Sequence, residues 1–248
     1  LNGLGYAPDI TTLSVPIGYE ALKNGETDVF LGNWLPAQQK FRDDLDASGK
    51  TEELARNLDG AKFTLAVTAP GAGLGVRDFA DLDAHKDAFK GKIYGIEPGN
   101  EGNGYLISQT EAGKSLEGME IVESSEQGML AQVSRLYPDQ KGVVFLGWEP
   151  HPMNANFSLK YLPGGEEFFG EEGVVNTVTR VGYAAECPNT GALLKNMTFT
   201  LPMENEIMGA ILNDGTDPSE AARAWLAANP TAWEPWLEGV TTKDGGDA

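Results

Sequence analysis

Short apolar runs alternate with polar, helix-compatible stretches along most of the chain. Leu13 to Pro16, Asp28 to Gly32, Lys62 to Val67, Lys92 to Ile96, Val143 to Leu146 and Arg180 to Ala185 read as strands. Between them, Gly18 to Asn24 predicts a short helix ending near Gly25, and Gln38 to Asn57 is polar and partly helical. Val76 to Leu82 opens a further short helical region. Ser124 with Gln127 three positions on has capping-box spacing, and the helix it starts would turn Met129, Leu130 and Val133 inward. Met203 to Leu212 is a helix. Another starts at Asp217 as cap, with Pro218 first and Glu220 third. Strand–helix alternation of this kind predicts an α/β protein with mainly parallel sheets and flanking helices. No tandem repeat, coiled coil or low-complexity tract interrupts it, and only Lys243 to Ala248 reads as a frayed tail.

One phrase in this pattern occurs twice. Val29-Phe30-Leu31-Gly32-Asn33-Trp34-Leu35-Pro36 and Val144-Phe145-Leu146-Gly147-Trp148-Glu149-Pro150 each run from an apolar strand through glycine to a tryptophan beside a proline. A single buried tryptophan is ordinarily core. Two in matching strand-end settings have another use, because ligands of α/β proteins collect at the carboxyl ends of strands. Facing indoles suit an organic cation, which the negative ring faces attract without hydrogen bonds.

Charge supports that direction and removes others. The 37 acidic residues outnumber 18 basic ones for a formal net charge of −19, which argues against nucleic acid as a partner. An acidic balance suits a cationic ligand, although a solvated acidic surface produces it too. Hydrophobic content of 41% is that of an ordinary globular chain, and 248 residues make one large domain or two smaller ones. No apolar stretch approaches the roughly 20 residues that span a bilayer. The chain opens on Leu1-Asn2-Gly3-Leu4-Gly5-Tyr6, which reads as the end of a helix entering a strand. An upstream segment, with room for an export signal, is therefore expected. Cys187 is a free thiol or has its disulfide partner in that segment.

Catalytic signals are weak. Gly95 to Gly104 is a glycine-rich turn between a strand and a helix, but Pro98 spoils a dinucleotide reading; such a turn is structural or presents N–H groups or the Asn100 amide to a small polar group. His85 lies in a charged stretch, and His151 between Pro150 and Pro152 borders Trp148. Neither histidine has metal-ligand spacing to another His or Cys, so no metal and no cofactor is expected. A nucleophile elbow and a Cys-His signature are both lacking. That silence favours binding over catalysis.

Asp28 to Pro36, Lys92 to Asn100, Glu123 to Gln132, Val144 to Asn156 and Met203 to Asn213 together closely resemble the periplasmic choline-binding proteins of bacterial ABC importers, within the glycine betaine/choline substrate-binding family. The resemblance runs along nearly the whole chain. It implies a two-lobed periplasmic-binding-protein fold of type II with a ligand cleft between lobes that close by a hinge. Lobe I would hold 1–64 and 179–248 and be incomplete at its N-terminus; lobe II would hold 65–178. By motif, Trp34 and Trp148 become walls of an aromatic box around a trimethylammonium group, with Asn100 bonding the choline hydroxyl. Phe63 stands where relatives carry a tyrosine wall, keeping the π face without the hydroxyl. The family's Gly-Trp-Thr-Asp-like loop, which brings another wall and a carboxylate, has no counterpart. Glu149 and His151 are the remaining candidates beside the site.

The expected function is thus that of a monomeric substrate-binding component in the periplasm, delivering choline or a related quaternary amine to a membrane permease. Glycine betaine, trimethylamine N-oxide and acetylcholine are competing ligands. Betaine's carboxylate calls for donors, whereas the cleft motifs supply Asn100, glutamates and no Arg or Lys. The rival from another class is an α/β enzyme using Glu97, Glu149 and His151 for acid–base work, and a third reading is a fragment unable to bind.

Overall fold

A computed structural model describes residues 1–139 and 142–248. The chain forms two compact units, residues 1–60 with 174–248 and residues 61–173. The boundaries expected from the resemblance and those of the compact units all fall inside the same two strands, β2 (Thr51–Thr68) and β7 (Gly173–Arg180), which carry the chain from one unit to the other.

The first unit begins with helix α1 (Val15–Asn24) and strand β1 (Val29–Leu35), followed by α2 (Gln39–Ser48). Its sheet places β7 between β1 and the first part of β2, with β1 and β7 antiparallel and Trp34 opposite Val175. Tyr19, Leu22, Leu45 and Val178 are buried where α1 and α2 pack on this sheet. Tyr19 stacks on Phe41 at 4.8 Å and meets Phe30 edge-on at 5.0 Å. A second cluster, Leu4, Leu193, Trp225, Trp236 and Val240, gathers the chain's opening and the C-terminal helices Pro188–Asn196, Leu201–Leu212 and Pro218–Ala228.

In the second unit the later part of β2 runs antiparallel to β5 (Val144–Glu149) and to β6 (Leu159–Tyr161). On the far side of β5 lie β3 (Lys92–Tyr94) and β4 (Glu120–Val122), parallel to one another, with β3 also parallel to β5. Parallel neighbours need a crossover, and helices supply it: α3 (Glu101–Gln109) joins β3 to β4, and α4 (Glu126–Leu136) joins β4 to β5. Leu65, Ala66, Val67, Ile93, Leu106, Met129, Val133, Val144, Phe145 and Leu146 are fully buried along these elements.

The architecture is the expected α/β one with flanking helices, but the strands are mixed rather than mainly parallel. β2 is the reason. It is 18 residues long and pairs antiparallel with both β5 and β6. Its first part reads as polar and partly helical because Glu52, Glu53, Arg56 and Asp59 break the apolar alternation, and Gly60, at φ 74°, marks a local twist inside it.

Three smaller expectations also change. Leu13 to Pro16 enters α1 rather than forming a strand, since Pro16 occupies the first helical turn, where its missing N–H costs nothing. Ser125, not Ser124, caps α4 by accepting from the Gly128 N–H, while Ser124 donates its hydroxyl to the Ser125 carbonyl. Of the three residues expected on that helix's inner face, Met129 and Val133 are buried and Leu130 half-buried. Arg180 ends β7, because Gly182 turns left-handed at φ 81° and starts the helical turn Tyr183–Glu186. Cys187 is half-buried and has no disulfide partner among the described residues. Among the described residues no helix is long and apolar enough to cross a membrane.

Candidate functional site

The two halves of the doubled phrase fold alike at the backbone. Each tryptophan sits near the end of its strand, and each phrase closes on a cis peptide bond before proline, Leu35–Pro36 and Glu149–Pro150. In the first unit Trp34 is half-buried and its backbone is fixed by one side chain. Gln38 Oε1 accepts from the Trp34 N–H at 2.9 Å, and the Gln38 N–H donates back to the Trp34 carbonyl at 2.9 Å. Tyr19 donates its hydroxyl to the same Gln38 oxygen at 2.7 Å and accepts from Asn33 Nδ2 at 2.7 Å.

In the second unit the strand register places Phe63 directly opposite Trp148. Their ring centroids lie 6.3 Å apart at 67°, an edge-to-face arrangement that the ring quadrupoles favour. Phe63 also meets Phe169 edge-on at 5.3 Å. Its ring presses so closely on Gly102 that a Cβ there would sit 2.9 Å from two ring carbons. Gly102 lies in the first turn of α3, and its N–H is capped by Asn100 Oδ1 at 2.8 Å. Asn100 is 6% exposed, and with Oδ1 committed to the cap its Nδ2 donors are what it can offer to a ligand.

Asn103 locks this turn. Its Oδ1 accepts from the Ile96 N–H at 3.1 Å, while Nδ2 reaches the carbonyls of Ile96 at 2.9 Å and Glu97 at 3.1 Å and Glu123 Oε1 at 3.0 Å. A Cβ at Gly95 would collide with that amide, so glycine is required for the approach.

The loop after Trp148 is equally tied. Asn154 Nδ2 donates to the carbonyls of Trp148 and His151, both at 2.9 Å, and its Oδ1 accepts from the Tyr161 hydroxyl at 2.8 Å. His151 is 4% exposed and sets its ring 5.0 Å from the indole of Trp148 at 65°. Its Nδ1 accepts from the Met153 N–H at 3.0 Å, so the imidazole proton is on Nε2, which donates to Glu126 Oε1 at 3.2 Å. Both ring nitrogens are thereby engaged. Glu149 lies half-buried across from Lys62 in the ladder. Burial raises the Tyr161 phenol above its ordinary range, against the hydrogen bond it makes to Asn154, and the Glu149 charge adds to the rise.

Phe63 and Phe169 line a cavity of about 340 Å³ with Lys62, Tyr161, Glu166, Glu171 and Glu172. Lys62, the basic side chain that the motifs alone did not bring to this lining, holds its Nζ 5.6 Å over the Tyr161 ring. Another cavity, of about 400 Å³, lies in the first unit between 56–59 and 198–202 and touches none of the candidate residues. Among the described residues no group of three or more His, Cys, Asp or Glu is placed to hold a metal ion.

Phe63, Asn100, Trp148 and His151 therefore share one neighbourhood in the second unit, with Glu149 adjacent in the chain; Trp34 belongs to the first unit. The sequence reading missed Phe169, Asn103, Asn154, Glu126 and Gln38. For the asparagines and Gln38 no periodic signal exists, because each ties backbone groups three to seven residues away across an irregular turn. Glu126 stood at the start of a predicted helix, 25 residues before its partner His151.

Comparison with known proteins shows the family of the chain. The family profile described as the substrate-binding domain of ABC-type glycine betaine transport systems matches residues 1–228. A solved choline-binding protein of an ABC transporter, in complex with choline, is 56% identical with a TM-score of 0.95, covering 100% of this chain and 87% of that one. The lactococcal OpuAC protein, closed on glycine betaine, is 26% identical with a TM-score of 0.81 over 91% of this chain and 86% of that one. The glycine betaine/carnitine transport binding protein GbuC of Listeria monocytogenes is 30% identical over 67% of this chain and 56% of its own length. An uncharacterized protein, ORF1, of Chromohalobacter salexigens is 47% identical over 42% of this chain and 66% of its own. The matches thus span less than two thirds of these two curated relatives.

Proposed function

Because the chain belongs to the family of substrate-binding domains of ABC-type glycine betaine transport systems, we propose that it captures choline or a close quaternary ammonium compound for an importer. The observation that carries this reading is the Phe63–Trp148 ring pair beside the Asn100 amide. A trimethylammonium group has no hydrogen to donate and is held by ring faces, each worth about 2 kcal/mol once water is excluded. Asn100 Nδ2 is the donor for the single hydroxyl of choline. Trp34, in the first unit, remains a candidate ligand residue on the strength of its matching strand-end setting. Glu149 lends negative potential to the neighbourhood.

Choline is preferred over glycine betaine on chemistry. Betaine's carboxylate needs a cationic or multiple-donor partner, and the ammonium of Lys62 is already placed over the Tyr161 ring. The formal charge of −19 also favours a ligand whose net charge is positive. In this reading the protein works as a monomer in the periplasm, and a membrane permease receives the ligand without chemistry.

Isothermal calorimetry with choline, glycine betaine and trimethylamine N-oxide tests it. Choline should bind most tightly, and its proton NMR spectrum should be unchanged after prolonged incubation. Tighter binding of betaine overturns the choice of ligand, and appearance of a product favours the acid–base enzyme.

A further inference from the structure

One hydrogen-bonded pair beside Trp148, a buried His151 and a half-buried Glu126, has no task in the reading above. His151 is 4% exposed, and its ring lies edge-to-face with the indole at 5.0 Å. Met153 donates its N–H to Nδ1, which fixes the proton on Nε2 and points it at Glu126 Oε1, 3.2 Å away. The imidazole is therefore neutral in this arrangement, and the pair as a whole carries the one negative charge of the carboxylate. The side chain of Glu126 is 32% exposed, and among the described residues no lysine or arginine bridges to it. A carboxylate without a cationic partner has thus been led, through a fixed imidazole, up to one aromatic ring of the candidate site.

We propose that Glu126, acting through His151, is the outer counter-charge for the ligand's ammonium group. The inference rests on the choline reading and adds a source of charge specificity to it. Hydrogen bonding to a carboxylate pushes electron density into the imidazole, and that ring in turn lies against the indole. A cation on the other side of Trp148 is up to about 15 Å from the carboxylate, summing ring-centroid reach of about 6 Å, the 5.0 Å between the rings and the 3.2 Å bond beyond the imidazole. At that separation and an effective dielectric of about 20 to 40, a unit charge alters cation affinity by about 2.5-fold to sixfold, with partial exposure pushing toward the lower figure. The effect is on charge alone. Glu126 touches no ligand in this scheme and is a positioning and polarising residue.

The test compares Glu126→Gln and Glu126→Asp with the unchanged protein, using three probes in the same calorimetric or competition format. Choline and tetramethylammonium carry the charge; 3,3-dimethylbutan-1-ol is choline's neutral carbon isostere. Glutamine keeps an oxygen for the His151 Nε2–H but removes the charge. It should weaken both cations about 2.5-fold or more and leave the neutral alcohol unchanged. Aspartate keeps the charge and should hold the cations within about twofold of the original affinity. Equal losses for cations and alcohol, no loss for the cations, or equal losses in the two variants would each overturn the proposal, since each makes Glu126 a packing or spacing residue. Failure of the unchanged protein to bind either cation defeats the parent choline reading, and this inference with it.

Discussion

Glu204 offers a sharp test of how this chain distributes charge. It lies in the first turn of the helix Leu201–Leu212, a segment whose other side chains are largely apolar. Its neighbours Met203 and Ile207 pack on the cluster around Trp225 and Trp236. A carboxylate near a helix N-terminus is ordinarily stabilised, but here burial dominates and pushes the carboxyl from 4.5 up to about 7. The sign follows directly. A folded pKa above the unfolded one means that the folded state binds the proton more tightly, so stability is greatest below about pH 4.5 and declines as pH rises to about 7. At about 1.4 kcal/mol per unit, a rise from 4.5 to about 7 sets an upper bound near 3 kcal/mol. Glu204 is half-buried, and solvent screening reduces that to about 1–2 kcal/mol. For a chain of this length the corresponding change in Tm is about 2–8 °C. Glu204→Gln should therefore unfold close to the original protein at pH 4.5 and exceed it by that margin at pH 8. Urea or thermal unfolding of both proteins across this range measures the difference directly. Parallel pH profiles for the two would show that the carboxyl ionises without cost, and the burial argument would fail.

Other expectations concern the site. Trp148→Ala should lower choline affinity by at least about thirtyfold, from one ring face and its apolar contact, with circular dichroism unchanged. Asn100→Ala should cost about 1 kcal/mol of stability through loss of the α3 cap, and should weaken choline several-fold while leaving tetramethylammonium, which lacks the hydroxyl, unaffected. Gly102→Ala drives a methyl to 2.9 Å from the Phe63 ring and should destabilise by about 1–3 kcal/mol in urea unfolding. Gly104→Ala, two positions along the same helix with nothing within 4 Å of its added Cβ, should cost nothing and is the matched control.

The twin phrases around Trp34 and Trp148 were legible because a buried strand, a glycine and a proline each leave a strong local mark. The cap of Asp217 was visible on the same ground, being set by residues close in sequence. What the sequence concealed depends on distant partners. The first part of β2 looks helical until β7 supplies its ladder, and Thr177, 120 residues away, receives the Asn57 amide. The same holds for Phe169, whose contact with Phe63 spans the second unit, and for Glu126 with His151. Strand direction was misjudged because parallel and antiparallel pairs bury similar apolar runs. The difference lies in connections, which β2 makes in both directions.

Asn154 holds the carbonyls of Trp148 and His151 with one amide and is itself steadied by the Tyr161 hydroxyl. In the proposed role, a loop whose backbone is already anchored this way surrenders little motion when a ligand arrives. The entropy that an unanchored indole would forfeit on capture has been spent during folding instead. Cutting the Asn154 tether should therefore appear in the heat of binding before it appears in the structure. Affinity would fall through a more unfavourable entropy while the ring contacts, and the enthalpy they bring, stay in place.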